Sequence, residues 1–161
     1  MLIVAQKQNE WMGALQWLMK HGPKSQGKAE RVHGMLECMD WGSDVMALGA
    51  LCPKENLLCL LSDNWIDDEI INMSMNDIAA RVYLDPVLSK TTAVATLALQ
   101  NEMEKAFESG DYSACVLLNQ LAEEFKEGKH RRWLYFPAHV NQNHWVAMLI
   151  NFEAKMILYG E

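Results

Sequence analysis

The segment that most restricts the fold of this chain is its last thirty residues. Trp133–Val140 is aromatic and β-branched, Asn141–Asn143 is turn-like, and Trp145–Phe152 is nearly all apolar. A short apolar run bounded by turn residues fits a strand buried on both faces. Glu153-Ala154-Lys155 then turns the chain into a last strand, Met156–Tyr159. Everything upstream reads as helical, so the order is helices followed by an antiparallel β-hairpin. That order defines an α+β domain.

The helical pieces follow from apolar spacing. Trp11, Leu15, Leu18 and Met19 fall on one face, and His21-Gly22-Pro23 is a helix stop. Val32, Met35, Leu36 and Met39 form a second stripe that ends before Trp41-Gly42. Residues 1–56 are therefore expected to be a helical extension. Further on, Asp67-Asp68-Glu69 suits the positive end of a helix dipole, and Ile71, Met75, Ile78 and Val82 repeat at helical spacing until Asp85-Pro86. A helix is expected over Thr92–Phe107, with Leu99, Met103 and Phe107 on one side and Gly110 after it. Another is expected from about Asp111 to Glu127, carrying Leu117, Leu118, Leu121 and Phe125.

Composition narrows the class. A chain of 161 residues is one domain's worth, and half of them are hydrophobic, enough for a real core. The formal charge of −7 argues against a nucleic-acid binder, which needs a basic face. The one dense basic cluster, Lys129-His130-Arg131-Arg132, reads as a solvated turn. No apolar run is long enough to span a bilayer, and no signal-peptide core precedes Lys7, so no membrane partner is expected. Cys38, Cys52, Cys59 and Cys115 form no CxxC pair. That is neither a disulfide framework nor a zinc pattern, and an intracellular setting, nucleus or cytoplasm, is the default. Neither metal nor other cofactor is expected.

One arrangement supports acid–base work. His144 stands just after a polar turn, at the mouth of a strand, and is followed by Trp145. Folding the chain back at Asn151–Lys155 brings Glu161 towards His144. A carboxylate beside an imidazole fixes its tautomer and supports its protonated form. Such a histidine can hold a nearby cysteine as thiolate. By itself this pattern is also what a structural histidine beside a tryptophan looks like.

Two motifs add to it. Trp65-Ile66-Asp67-Asp68-Glu69-Ile70-Ile71-Asn72 resembles the Trp-Leu-Asn-Asp-Glu-x-Ile-Asn signature of the SUMO-specific, or Ulp-type, cysteine proteases. Phe136-Pro137-Ala138-His139-Val140, followed by His144-Trp145, resembles their histidine-bearing strand pair. The resemblance covers residues 57–161, with residues 84–127 longer than the family pattern, as an insertion would be. It implies a partial papain-like fold and cleavage after the C-terminal Gly-Gly of SUMO or another ubiquitin-like protein. His144 would be the general base. Trp65 and Trp145 would clamp the Gly-Gly tail, and Asp68 would face a basic residue of the bound modifier.

The sequence departs from that family at two places. The acid position holds Glu161 where SUMO proteases have Asp, although adenovirus-type proteases look similar in using Glu. The Gln and the Asp-Cys-Gly nucleophile segment that follow the acid in the family have no counterpart: the four cysteines precede His144, and none is followed by Gly. The expectation is a thiol-protease fragment that is inactive by itself. The alternative is a non-catalytic module that binds a ubiquitin-like protein.

Overall fold

A computed structural model of the chain describes residues 2–25, 27–40, 42–47, 50–63, 65–126, 130–141 and 144–160. It divides into two compact units, Met1–Ile70 and Ile71–Glu161. Both helices and sheets occur, so the architecture is α+β.

The first unit begins with α1, Leu2–His21, which stops where Gly22-Pro23 opens a single 3-10 turn. Proline fixes φ and lacks an N–H, so it suits the start of a turn and not the interior of α1. Helix α2, Lys28–Glu37, follows a left-handed Gly27. The two helices meet over small residues. Ala14 and Ala29 are buried with Leu36, Leu58 and Leu61, and Trp11, Trp17, Leu18 and Val32 pack around them. The expected stripes hold at Trp11, Leu18, Val32, Leu36 and Met39, with two exceptions. Met19 and Met35 (62% exposed) face solvent, while Ala29, His33 and Leu36 form the buried face of α2. Hydrophobicity alone favours the methionines, but close helix approach favours alanine.

Residues 1–56 are not all helical, contrary to the reading from periodicity. Strands β1, Asp44–Ala47, and β2, Ala50–Pro53, pair antiparallel with Val45 opposite Cys52. Cys52 is buried while its neighbour Leu51 is exposed, the period-2 alternation of a half-buried strand. Four residues are too few for that alternation to stand out in sequence. A 3-10 segment, Lys54–Leu61, then contributes Leu58 and Leu61 to the core.

The second unit is organised by a four-stranded sheet in the order β3-β4-β5-β6, where β3 is Thr92–Val94, β4 Trp133–Val140, β5 His144–Asn151 and β6 Met156–Gly160. β3 lies parallel to β4, and the other pairs are antiparallel. Helix α3, Asp68–Leu84, leads into this unit, and Asp85 ends it by accepting bonds from the Val87 and Leu88 amides. A short helix, α4, Leu88–Thr91, delivers the chain to β3.

Thr92 to Val94 is thus a strand and not the start of a helix. Its β-branched residues find a partner only when β4 arrives forty residues later, which local spacing does not reveal. Helix α5 begins at Leu97, whose N–H is accepted by Asn72 Oδ1, and ends at Gly110 in the left-handed region that glycine occupies without strain. Its buried face is Leu97, Leu99 and Ala106, whereas Met103 and Phe107 (78% exposed) point outward. Helix α6, Val116–Glu124, lays Leu117, Leu118, Leu121 and the following Phe125 against the sheet.

One sheet face carries the core. Leu134, Phe136 and Ala138 of β4 lie opposite Ile150, Met148 and Val146 of β5, with Ala93, Ala95 and Leu99 completing the cluster. The stretch read as an insertion therefore supplies three of its buried residues. Asn151, itself buried, accepts the Ala154 N–H and fixes the turn into β6. β5 is mostly half-buried rather than buried on both faces, and every residue of β6 is exposed.

Candidate functional site

The mouth of the β4–β5 hairpin brings the second motif together. Val140 pairs with His144, and His139 pairs with Trp145. Successive strand residues point to opposite faces, so His144 shares its face with the buried Val146 while Trp145 faces the other way. There Trp145 stacks on His139, with ring centroids 4.3 Å apart and planes 21° from parallel. Both His144 and Trp145 are partly buried. A side chain on the core side and a stacked indole on the other give the hairpin end two different surfaces.

Gln100 of α5 holds this end in place. Its Oε1 accepts the His139 N–H at 2.6 Å, and its Nε2 donates to the His139 carbonyl at 2.9 Å. One side-chain amide thereby acts as a strand partner beyond the end of β3. Pro137 beside it has no N–H to satisfy, which is why proline is tolerated at this margin of the sheet. Glu104 accepts a second bond from Gln100 Nε2 at 2.7 Å. Nothing in the spacing of Gln100 distinguishes it from a solvated helix residue.

The first motif stands in the other unit. Trp65 is 63% exposed. It borders a groove of about 510 Å³ with Asn9, Glu10, Asn56, Cys59 and Asp67. Asp67 does the local work at the start of α3. Its Oδ1 accepts the Glu69 N–H, and its Oδ2 accepts from Asn56 Nδ2. Asp68, the first residue of α3, is exposed. Its carboxylate lies at the favourable end of the helix dipole. The groove wall from α1 was not legible in sequence, because Asn9 and Glu10 read only as the polar face of a helix.

Trp65 and Asp68 thus belong to Met1–Ile70, and His144 and Trp145 to Ile71–Glu161. Glu161 lies outside the described residues. In the β5–β6 ladder the last described pair is Ala147 with Gly160, and Tyr159 opposite Met148 lies on the face of His144.

None of the more enclosed thiols is set up as a thiolate. Burial, reinforced by the charge of Glu102, raises the pKa of Cys115, whose Sγ approaches the Glu102 carbonyl oxygen at 3.5 Å. Burial likewise raises Cys52 and Cys59. A reactive cysteine needs the opposite, a positive environment that lowers its pKa. Cys38 is exposed. Within the basic cluster, Arg131 bonds Glu124 and the Thr92 carbonyl, and Arg132 bonds Glu153. Those two are structural ties and not a free basic patch. Among the described residues no group of three or more His, Cys, Asp or Glu side chains could hold a metal ion, and no helix is long and apolar enough to cross a membrane.

Comparison with family models, with curated proteins and with solved structures finds no significant match.

Proposed function

We propose that this chain is the histidine-bearing part of a Ulp-type cysteine peptidase that receives the Gly-Gly tail of SUMO or another ubiquitin-like protein. The observation that carries the reading is the pairing of its second motif. His139 and Trp145 stand opposite each other and stack, beside the Val140–His144 pair. In this reading His144 is the general base, Glu161 its orienting acid, Trp65 and Trp145 the aromatic clamp, and Asp68 the contact for a basic residue of the modifier. An indole face accepts a tail without side chains because glycine lets the backbone lie close against the ring.

A second reading is favoured by the thiols. Burial raises three of them, and Cys115 is turned to a backbone carbonyl. A chain without a competent thiolate binds the tail and does not cleave it. The two readings share the binding surface and differ in chemistry.

The test is to titrate the chain with a SUMO-type modifier ending in Gly-Gly, and with the same modifier lacking those two residues. Hydrolysis of the precursor is followed in parallel. Tail-dependent binding that weakens about ten-fold or more in Trp65→Ala and Trp145→Ala is expected, without turnover. Equal affinity for the truncated modifier would remove both readings. Turnover abolished by Cys115→Ser would retain the peptidase and remove the binding-only module.

A further inference from the structure

The end of the β4–β5 hairpin contains two kinds of strand pair. In an antiparallel ladder both backbone groups of a residue turn to the same side, and successive residues turn to opposite sides. The Tyr135 carbonyl accepts the Ala95 N–H, so Tyr135 turns its groups away from β5. His139, four residues further along β4, has the same parity. Its N–H and its carbonyl both go to Gln100, on the side where β3 has ended. His139 and Trp145 are therefore a pair without ladder bonds. In such pairs the Cα atoms approach to about 4.5 Å rather than about 5.5 Å, and the side chains meet. The ring contact, with centroids 4.3 Å apart, follows from that register. The flanking pairs, Ala138 with Val146 and Val140 with His144, are the bonded kind.

We infer that Gln100 is a positioning residue of the candidate site: acting through the His139 backbone, it sets how closely and at what angle Trp145 meets the His139 ring. The functional part of this inference rests on the peptidase and binding readings, which share that surface. Three contacts hold the amide in one orientation. A backbone N–H needs an acceptor, whereas a carbonyl and a carboxylate each need a donor. Oε1 meets the His139 N–H, and the two hydrogens of Nε2 meet the His139 carbonyl and the Glu104 carboxylate. Residues four apart are neighbours on a helix surface, which is why Glu104 reaches Gln100.

The helix that delivers Gln100 is itself anchored. Leu99 is buried in the cluster that contains Phe136 and Ala138 of β4, and the Leu97 N–H is held by Asn72 of α3. Ala106 is buried further along the same helix. A side chain one residue past Leu99 has its place decided by that packing. The two bonded pairs are tied by their own ladder bonds, so Gln100 acts on the one pair between them that is not. Helix α5 thus contributes to the core through Leu99 and to the aim of the hairpin end through Gln100.

The test uses the whole chain and reads the two rings by NMR, since each stacked ring shifts the other's protons upfield. In Gln100→Ala the His139 and Trp145 ring signals are expected to move towards their unstacked positions, with the Phe136 and Val146 signals in place. Gln100→Glu separates positioning from filling of space. It keeps the size and the acceptor, loses the donor, and sets a like charge beside Glu104. It should move the same ring signals, and adding Glu104→Gln should return them part of the way by removing the repulsion. Binding of a SUMO-type modifier ending in Gly-Gly should weaken about three- to ten-fold in Gln100→Ala and Gln100→Glu, the effect of one lost hydrogen bond. Circular dichroism checks the fold, and if Gln100→Ala loses it, Gln100→Glu with and without Glu104→Gln decides the matter. Ring signals unchanged in Gln100→Glu would overturn the proposal, whatever the modifier does. So would ring signals that move while tail-dependent affinity stays the same. If the parent chain shows no tail-dependent binding, the peptidase and binding readings fail, and the ring signals alone decide whether Gln100 positions the pair.

Discussion

The two units solve the same packing problem with different chemistry. In Ile71–Glu161 the core is made of apolar side chains from alternating strand positions and from helices laid on them. In Met1–Ile70 the core contains ionisable groups. Lys54 is 3% exposed, donates from Nζ to the Met39 carbonyl, and lies 5.3 Å from the centroid of Trp11. His33 is buried against the same indole, with Nδ1 3.6 Å from a Glu37 carboxylate oxygen. An ammonium can be enclosed only if its donors are met and an aromatic face or carbonyl offsets the lost hydration. The lesson is about tolerance. An apolar core loses stability in proportion to the volume removed, whereas a core tied by one ammonium fails when a single partner is taken away.

The largest effect should follow Phe136→Ala. Deleting a buried phenylalanine costs about 3–5 kcal/mol, the lost transfer energy plus a cavity. Hydrogen exchange read by mass spectrometry should show protection lost across β4 and β5 and retained in α1 and α2. Equal loss in both units would break the comparison, because it would make them one cooperative body.

Lys54→Ala should come next, at about 2–4 kcal/mol. It removes the packing of the aliphatic stem and leaves the Met39 carbonyl without its donor. Here the loss of protection should centre on α2 and the Lys54–Leu61 segment, with β4 and β5 unchanged. Denaturation midpoints that do not move would show that the ammonium is not a tie.

A smaller effect is expected from acid. The Lys7 ammonium holds the Glu55 carboxyl below the usual glutamate range, chiefly through a direct hydrogen bond. Because the folded-state carboxyl is the stronger acid, this stabilisation is whole above the ordinary carboxylate pKa. It drains away as pH falls through the folded value. Glu55→Gln should therefore flatten the acid limb of the stability profile of the first unit and leave neutral pH nearly unchanged in shape. An acid limb as steep as that of the parent chain would assign it to other carboxylates of the first unit.

Much of the fold was written in local chemistry. Gly22-Pro23 and Asp85-Pro86 end helices because proline cannot continue them, and Gly110 ends α5 because it can take a positive φ. The Trp133–Gly160 strands and the turn at Glu153–Lys155 follow from composition, period and turn residues. The acidic run at Asp67–Glu69 opens α3 where a helix dipole wants it, although Asp67 caps the helix and Asp68 remains exposed. These signals act within a few residues, so a sequence can carry them.

What only the tertiary structure decided has a longer reach. Thr92–Val94 becomes a strand because β4 satisfies it from forty residues away, and Gln100 replaces a strand at His139 because β3 has ended. Alanines rather than methionines bury themselves between α1 and α2, since close approach rewards small side chains. Lys54 lies inside because Met39 and Trp11 receive it. At the candidate site, sequence named His144, Trp145, Trp65 and Asp68, but the stacking of Trp145 on His139 came from strand register. Register depends on which residues lie opposite one another, and that is settled only when the chain has folded back on itself.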